Sequence, residues 1–229
     1  MTSARQHGYA SRVDRDEIIR VLRAFEATGL EYVLIGATAM GFHGLVRATE
    51  DLDIFIRATA ENIERLRAAL RQVYDGDPQL NEISSADLLG EYPAVRYYPP
   101  TGDLYFDVLT RLGESASFET VDAETKEIQG TTVRVATPLA LYRLKKGTVR
   151  VQDLNAAAMR TDMPVQKFRS IEEMNNAPVP ESRTPDFERF LRHCARYWAI
   201  APKLYPRGVF KFRSIEEAQK AREKHVLKK

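Results

Sequence analysis

The segment from residue 32 to residue 56 constrains the fold of this chain more than any other part of its sequence. It reads YVLIGATAMGFHGLVRATEDLDIFI. Tyr32–Ile35 is a short apolar run that predicts a buried strand, and Gly36 permits a sharp turn directly after it. Small residues then predict a helix near Thr38–Phe42, and Leu52–Ile56 predicts a second strand. The segment therefore indicates a strand–helix–strand unit.

Two aspartates begin the second strand of this unit. Asp51 and Asp53 flank Leu52, and residues two apart in a strand point to the same face. Magnesium takes carboxylate oxygens in this way and usually completes its shell with substrate phosphates. The pair predicts a metal site for phosphate chemistry; the alternative is two ordinary solvated carboxylates at the end of a strand.

A third aspartate lies within an apolar stretch further along the chain. Ala94–Tyr98 and Leu104–Leu109 predict two strands joined by a turn rich in proline and glycine, and Asp107 falls in the second. An unpaired buried charge costs several kcal/mol. We therefore expect Asp107 to have a metal or a cationic partner, unless the strand lies at a sheet edge with the carboxylate in water.

These motifs resemble the nucleotidyltransferase superfamily, in which G-[G/S] is followed by D-x-D on the next strand. Gly36-Ala37 and Asp51-x-Asp53 carry the resemblance, and the longer segment is similar to the abortive-infection (AbiEii-like) toxin branch. The resemblance implies an α/β (α+β) fold with a mixed sheet flanked by helices. It also implies an enzyme that transfers a nucleoside monophosphate from a nucleoside triphosphate with Mg²⁺ or Mn²⁺.

The resemblance further implies roles for the three aspartates. Asp51 and Asp53 would hold metal, and Asp107 would supply the third carboxylate from a strand antiparallel to theirs. Asp107 would bind a second metal or deprotonate the attacking hydroxyl, and the sequence does not choose between these roles.

Nucleotide contacts are expected at the glycine turn. The resemblance places Gly36, Ala37 and Thr38 against the nucleotide. Many relatives carry Ser or Gly where this chain has Ala37, which leaves only backbone N–H groups to meet phosphates. Arg47 is a further candidate phosphate ligand, with an ordinary surface arginine as the alternative.

A pair of helices after residue 136 supplies the remaining candidates. Thr137-Pro138 predicts a helix start, with threonine as the N-cap. Relatives carry a lysine near the end of this helix and an aspartate in the next; Lys145, or its neighbour Lys146, matches the lysine, and Asp153 matches the aspartate. The lysine would hold the triphosphate and Asp153 would orient it. Alternatively, the lysines only complement the helix dipole.

Composition limits the remaining possibilities. The 229 residues carry a net charge of +2, which gives no overall nucleic-acid footprint. The Lys/Arg-rich segment after Pro202 is interpreted as a solvated tail. A single cysteine, Cys194, precludes an internal disulfide and suits a reducing cytosol. With no secretory signal and no apolar segment of membrane-spanning length, we expect a cytoplasmic protein without membrane contact.

The sequence changes character near residue 163. Residues 167–173 read KFRSIEE, and residues 211–217 repeat the same seven letters; each copy predicts a helix start with a capping box. Between them, residues 185–199 predict an amphipathic helix. We therefore expect a nucleotidyltransferase domain at 1–162 and a small all-helical module at 163–229, whose core is too small to be stable unless it docks on the larger domain.

Residues 163–229 resemble a small helical antitoxin found beside toxin-like nucleotidyltransferases. The resemblance implies a transferase toxin that modifies an RNA acceptor, by family the tRNA 3′ end, and that is inhibited through contact with its own C-terminal module. Two alternatives remain: an enzyme that adenylylates a partner toxin protein, and a catalytically inactive nucleotide- or RNA-binding module, for which Ala37 is the sequence hint.

Overall fold

A seven-stranded mixed sheet with helices packed against it forms the centre of the molecule. A computed structural model describes residues 15–45, 48–102, 104–112, 116–146, 186–200 and 206–226. The main elements, in chain order, are α1 (Arg15–Ala27), β1 (Tyr32–Leu34), α2 (Gly36–Phe42), β2 (Asp51–Ile56), α3 (Ala60–Val73), α4 (Ser85–Leu89), β3 (Ala94–Tyr98), β4 (Tyr105–Leu109), β5 (Arg111–Leu112), β6 (Ala116–Ser117), β7 (Ala123–Ile128), β8 (Thr131–Ala136), α5 (Pro138–Lys146), α6 (Phe187–Ile200), β9 (Gly208–Phe212) and α7 (Ile215–Val226).

The strand order is β7-β8-β1-β2-β4-β3-β9, which places β2 at the centre. β1 runs antiparallel to β2 and parallel to β8. The predicted strand–helix–strand unit is confirmed, because β1, α2 and β2 follow one another as expected. The predicted α/β fold with a mixed sheet and flanking helices is confirmed as well.

The direction of β4 differs from the prediction. β4 pairs with β2 in parallel and with β3 in antiparallel orientation. The expectation that Asp107 lies on a strand antiparallel to the D-x-D strand is therefore wrong. The chain leaves β2 through α3 and α4, continues as β3, and returns through the connection at residues 99–104 to form β4 between β3 and β2. The hairpin reverses the direction once more, so β4 runs the same way as β2.

Apolar side chains from both sides of β2 build the core. Leu52, Ile54, Phe55 and Ile56 are fully buried. Helices α1 and α3 pack together, and α3 begins at Thr59, whose hydroxyl accepts a hydrogen bond from the Asn62 N–H. A one-residue slip would move every side chain of β2 to the opposite face and would separate Asp51 and Asp53 from Asp107.

Helix α6 packs on α2 through aromatic rings. The ring of Phe187 stacks on Phe42 with centroids 3.7 Å apart. Phe190 lies so close to α2 that a Cβ atom at Gly41 would be 2.6 Å from its ring. Asp186 caps the helix by accepting a hydrogen bond from the Arg189 N–H at 3.1 Å. Gly41 is therefore the residue that lets α6 approach α2.

The C-terminal part is not all-helical, contrary to the prediction. β9 pairs with β3 over five residues, from Ala94 opposite Phe212 to Tyr98 opposite Gly208. Its GVFKF sequence is rich in β-branched and aromatic residues, and it covers the otherwise open edge at β3. β9 was not predicted from the sequence, because a five-residue segment gives only a weak strand signal when its pairing partner is unknown.

The second KFRSIEE copy is divided between a strand and a helix. Its first two residues end β9, and Ser214 then caps α7 by accepting a hydrogen bond from the Glu217 N–H at 3.2 Å. The Glu217 carboxylate in turn accepts from the Arg213 N–H at 2.8 Å. The first copy, residues 167–173, lies outside the described residues. Within the described ranges, no helix has the length and apolar character needed to cross a membrane.

Candidate active site

Three carboxylates meet where β2 and β4 lie side by side. The register pairs Asp53 with Asp107, and Asp51 lies two residues earlier on the same face of β2. Each of the three offers an oxygen atom, and these atoms lie within 4.8 Å of one another. Asp51 and Asp107 are buried, and Asp53 is half-buried. The structure therefore brings together the three aspartates that the sequence singled out, and we call them the acidic triad.

Gly36 is needed because Asp53 lies against the start of α2. A Cβ atom at Gly36 would be 1.9 Å from the Asp53 Oδ2 atom, and its φ of +66° is unfavourable for other residues. The Ile35 N–H also donates to the Asp53 carbonyl oxygen at 3.0 Å. The glycine of the motif thus allows the helix and the D-x-D strand to approach each other closely.

Arg96 on β3 forms a two-point ion pair with Asp107 on the neighbouring strand β4. Its Nε atom donates to Asp107 Oδ1 at 2.6 Å, and its Nη2 atom donates to Oδ2 at 2.9 Å. Both side chains are buried, and the two residues are opposite each other in the β3–β4 ladder. The expected cationic partner is therefore present, and the alternative of a water-exposed edge strand is wrong because β4 lies between β2 and β3.

Arg222 on α7 reaches the triad from the C-terminal segment. Its Nη2 atom donates to Asp51 Oδ2 at 2.5 Å and to Asp107 Oδ2 at 3.0 Å. Its guanidinium carbon is 5.6 Å from the ring centroid of Tyr105, whose hydroxyl donates to Asp51 at 3.4 Å. The interpretation of the segment after Pro202 as a solvated tail is therefore wrong for Arg222.

The two D-x-D carboxylates have opposite electrostatic environments. Burial alone would raise the pKa of Asp51, but Arg222 and the Thr49 hydroxyl outweigh burial and hold this pKa below its usual value. Burial, together with the charges of Asp51 and Asp107, raises the pKa of Asp53 well above its usual value. Asp53 is thus the carboxylate whose ionisation most needs an additional cation.

A cavity of about 120 Å³ adjoins Asp53 and Gly36. Leu141 and Leu144 of α5 line one side of it, and Ile215 and Gln219 of α7 line another. The cavity therefore connects the acidic triad to the helix on which the candidate lysines lie.

The remaining sequence candidates are placed less completely. Ala37 is buried, and the buried hydroxyl of Thr38 donates to the Asp51 carbonyl oxygen at 3.4 Å, which supports β2. The predicted cap of α5 is confirmed, since Thr137 accepts from the Ala140 N–H at 3.2 Å. Lys145 and Lys146 lie on α5, but their side chains are outside the described part of the chain. Arg47 and Asp153 also lie outside the described residues.

Sequence reasoning missed both arginines of the site. Arg96 had one usable signal, because it interrupts the apolar strand AVRYY and lies on the other side of the predicted turn from Asp107. Arg222 had none, because it is separated from Asp51 by 171 positions and lies in a segment with many other charged residues.

One comparison with known proteins identifies the family of this chain. The sequence model of a family described as the nucleotidyl transferase AbiEii toxin of type IV toxin–antitoxin systems matches residues 20–145, which is more than half of the chain. A search among curated proteins gave no match. A solved structure from Thermotoga maritima, provisionally assigned as a nucleotidyltransferase, has a TM-score of 0.38 and 13% identity, covering 68% of this chain and 97% of that one. At that TM-score the likeness supports no conclusion.

Proposed function

The chain belongs to the AbiEii family of nucleotidyl transferase toxins, and from that premise we propose that it transfers a nucleoside monophosphate from a nucleoside triphosphate to an RNA hydroxyl. The observation that carries the proposal is the convergence of Asp51, Asp53 and Asp107 on one face of the sheet. The resemblance of the motifs favours the 3′ end of tRNA as the acceptor, and hence a reaction in the cytoplasm.

The donor set of the acidic triad fits a divalent cation. Three carboxylate oxygens within 4.8 Å of one another are hard ligands of the kind that Mg²⁺ or Mn²⁺ prefers. Asp51, Asp53 and Asp107 would hold the ion. A bound ion would neutralise negative charge on the triphosphate around the phosphorus that is transferred.

Arg96 favours a ligand role for Asp107 over a general-base role. Both oxygens of Asp107 accept hydrogen bonds from Arg96, so protonation would disrupt a two-point charge-assisted pair. The remaining lone pairs are still available to a cation. In the proposed reaction Asp107 therefore orients and holds charge, and Arg96 keeps its carboxylate in place.

The nucleotide would lie between the acidic triad and α5. The cavity beside Asp53 and Gly36 supports this position, because Leu144 lines it and directly precedes Lys145. We propose that Lys145 or Lys146, with Arg47, holds the triphosphate and that Asp153 orients the lysine. The backbone N–H groups at Gly36 and Ala37 would contact the phosphates from the other side.

Residues 163–229 would restrain the transferase part, residues 1–162, in the manner of an antitoxin. The contacts of Arg222 with Asp51 and Asp107 support this proposal, because they place the C-terminal helix on the carboxylates that the reaction needs. The wild-type chain should accordingly be less active than a variant in which this contact is removed.

One labelling experiment tests the proposed reaction. The protein is incubated with each radiolabelled triphosphate, Mg²⁺ or Mn²⁺, total RNA and cell lysate. We expect label in RNA of tRNA size, and Asp53→Asn should reduce it by roughly 100-fold or more because a metal site contributes several kcal/mol to such reactions. Asp122→Asn, which alters a largely exposed carboxylate, is the control and should retain activity.

The other outcomes of this experiment select the alternatives. Label in a protein band would replace the RNA transferase by a protein adenylyltransferase. An absence of label with every triphosphate, also in Arg222→Ala, would indicate an inactive binding module.

A further inference from the structure

Helix α7 places a cationic group where the acidic triad needs a cation. The Arg222 guanidinium bonds to Asp51 and Asp107 through a single nitrogen atom, at 2.5 and 3.0 Å. These are two of the three carboxylates that would hold a divalent ion. The guanidinium nitrogen and a metal ion at the triad would both be bound by the carboxylates of Asp51 and Asp107.

We propose that Arg222 competes directly with the divalent ion for the acidic triad, so that α7 is a latch that closes the site in its metal-free form. The inference rests on the proposed function, because it concerns the regulation of the same site. Metal binding and latch closure are coupled: the factor by which closure weakens metal binding equals the factor by which a bound metal weakens closure.

The net charge of the cluster favours either Arg222 or a divalent ion at the acidic triad, but not both together. With all three carboxylates ionised, the two guanidiniums of Arg96 and Arg222 leave the cluster with a single negative charge. A divalent ion in place of Arg222 would make the cluster neutral. A divalent ion added beside Arg222 would make it positive and would bring like charges together at short range in a poorly solvated site.

The two arginines differ in how firmly the fold holds them. Arg96 lies within β3, is paired on both sides of the ladder, and has its charge matched by two bonds to Asp107. Arg222 lies near the end of α7, and its Nε atom is buried with no hydrogen-bond partner among the described residues. An unsatisfied buried donor disfavours the closed state. Arg222 is therefore the cation that a metal ion can displace.

The attachment of α7 also fits a latch. β9 ties the segment to β3 over five residues, so the connection to the sheet persists when the helix moves. Along α7, Ala218 is buried and its carbonyl oxygen accepts from Arg96 Nη1 at 3.3 Å, and Arg222 follows one turn later. The inner face of the helix is thus anchored at the acidic site itself.

Titration of Mn²⁺ into the full chain, followed by the electron paramagnetic resonance signal of the free ion, tests the competition. Arg222→Ala should bind Mn²⁺ at least tenfold more tightly than the wild-type chain, and Arg222→Lys should lie between them. Lys220→Ala removes the same charge from an exposed position on the same helix and should change the affinity by less than threefold. Circular dichroism with excess Mn²⁺ checks that each variant is folded.

Two results would overturn the latch. The first is an Arg222→Ala chain that is folded but binds Mn²⁺ no more tightly than wild type. The second is an Arg222→Ala chain that stays unfolded with excess Mn²⁺, since the ion then fails to replace the arginine. Tight binding by Arg222→Ala without nucleotide transfer would instead support the latch and sink the proposed function, so the two can fail separately.

Discussion

Asp53 and Asp107 lie directly opposite each other on parallel strands, which makes the acidic triad a property of the sheet and not of a loop. Their separation is set by the ladder between β2 and β4, and both strands are buried along most of their length. Sites built on central strands hold their side chains more precisely than sites on loops. The sheet therefore fixes the positions of Asp53 and Asp107, and in the proposed latch the part that moves is the helix that carries Arg222.

Gly36→Ala should disrupt the site as well as the fold. The new methyl group would overlap Asp53 Oδ2, which lies 1.9 Å from the position of the added Cβ atom, and would push the carboxylate away from the triad. We expect a loss of about 2–4 kcal/mol in the free energy of unfolding, from overpacking added to the strain of positive φ. Urea denaturation and Mn²⁺ titration measure the two effects.

Gly76→Ala is the matched control for this substitution. Gly76 has a similar φ of +78°, but a Cβ atom there would meet nothing within 4 Å. It should cost only the backbone strain, about 1–2 kcal/mol, and leave Mn²⁺ affinity unchanged. Equal losses of stability in the two variants would show that contact with Asp53 is unimportant.

Asp53→Asn should stabilise the metal-free protein at neutral pH. Burial and its two acidic neighbours raise the pKa of Asp53 in the folded chain, so the folded state binds this proton more tightly than the unfolded state. The resulting destabilisation is absent below the unfolded pKa of about 3.9 and grows as the pH rises towards the folded pKa.

Urea denaturation in EDTA between pH 4 and pH 8 measures this effect. The variant should exceed wild type by on the order of 1 kcal/mol at pH 8, and the difference should shrink towards pH 4. Asp122→Asn makes the same chemical change at a side chain that is 65% exposed and is the control for the substitution. A variant that is less stable than wild type at pH 8 would contradict the expected effect of ionised Asp53.

Arg96→Gln should be among the most destabilising single changes in the sheet. It removes both hydrogen bonds to the buried Asp107 and leaves that carboxylate dependent on Arg222. Breaking a buried ion pair by removing one partner costs about 3–5 kcal/mol. Arg143→Gln breaks an exposed pair with Asp122 and should cost less than about 1 kcal/mol. Thermal unfolding compares the two variants, and similar melting temperatures would argue against a structural role for Arg96.

Gly41→Ala should loosen the packing of α6 on α2. The added methyl group would lie 2.6 Å from the Phe190 ring, which is fully buried, and overpacking of this kind costs about 1–3 kcal/mol. Replacing the ring by a smaller side chain, with Phe190→Leu in the Gly41→Ala chain, should recover part of this loss of stability. A double-mutant cycle by chemical denaturation gives the coupling, and strictly additive effects would mean that the two residues do not contact each other.

The local parts of the fold could be predicted from the sequence because their determinants lie close together in the chain. The apolar run of β1, the glycine turn and the D-x-D strand follow one another directly, and the cap of α5 depends on two adjacent residues. The hairpin of β3 and β4 follows from its turn. The acidic triad could be predicted too, because the motif and the buried position of Asp107 are both visible in the sequence.

The non-local parts could not be predicted, for one physical reason. The direction of β4 depends on which side of the sheet the chain enters after α3, and β9 becomes a strand only because β3 offers an open edge. Arg222 acquires its role from a contact 171 positions away. In each case the structure depends on a contact with a segment that is distant in the chain, and local secondary-structure propensity does not reveal such contacts.

The distance between Arg222 and the acidic triad in the chain also sets an order of events during synthesis. Ribosomes add about 5–20 residues per second, so the 115 positions between Asp107, the last aspartate of the triad, and Arg222 correspond to roughly 6–23 s of translation. In that interval all three aspartates have been made and the arginine has not. In the proposed latch, a nascent chain therefore carries its three carboxylates for that interval without the competing guanidinium, and they can take a divalent ion before α7 has been made.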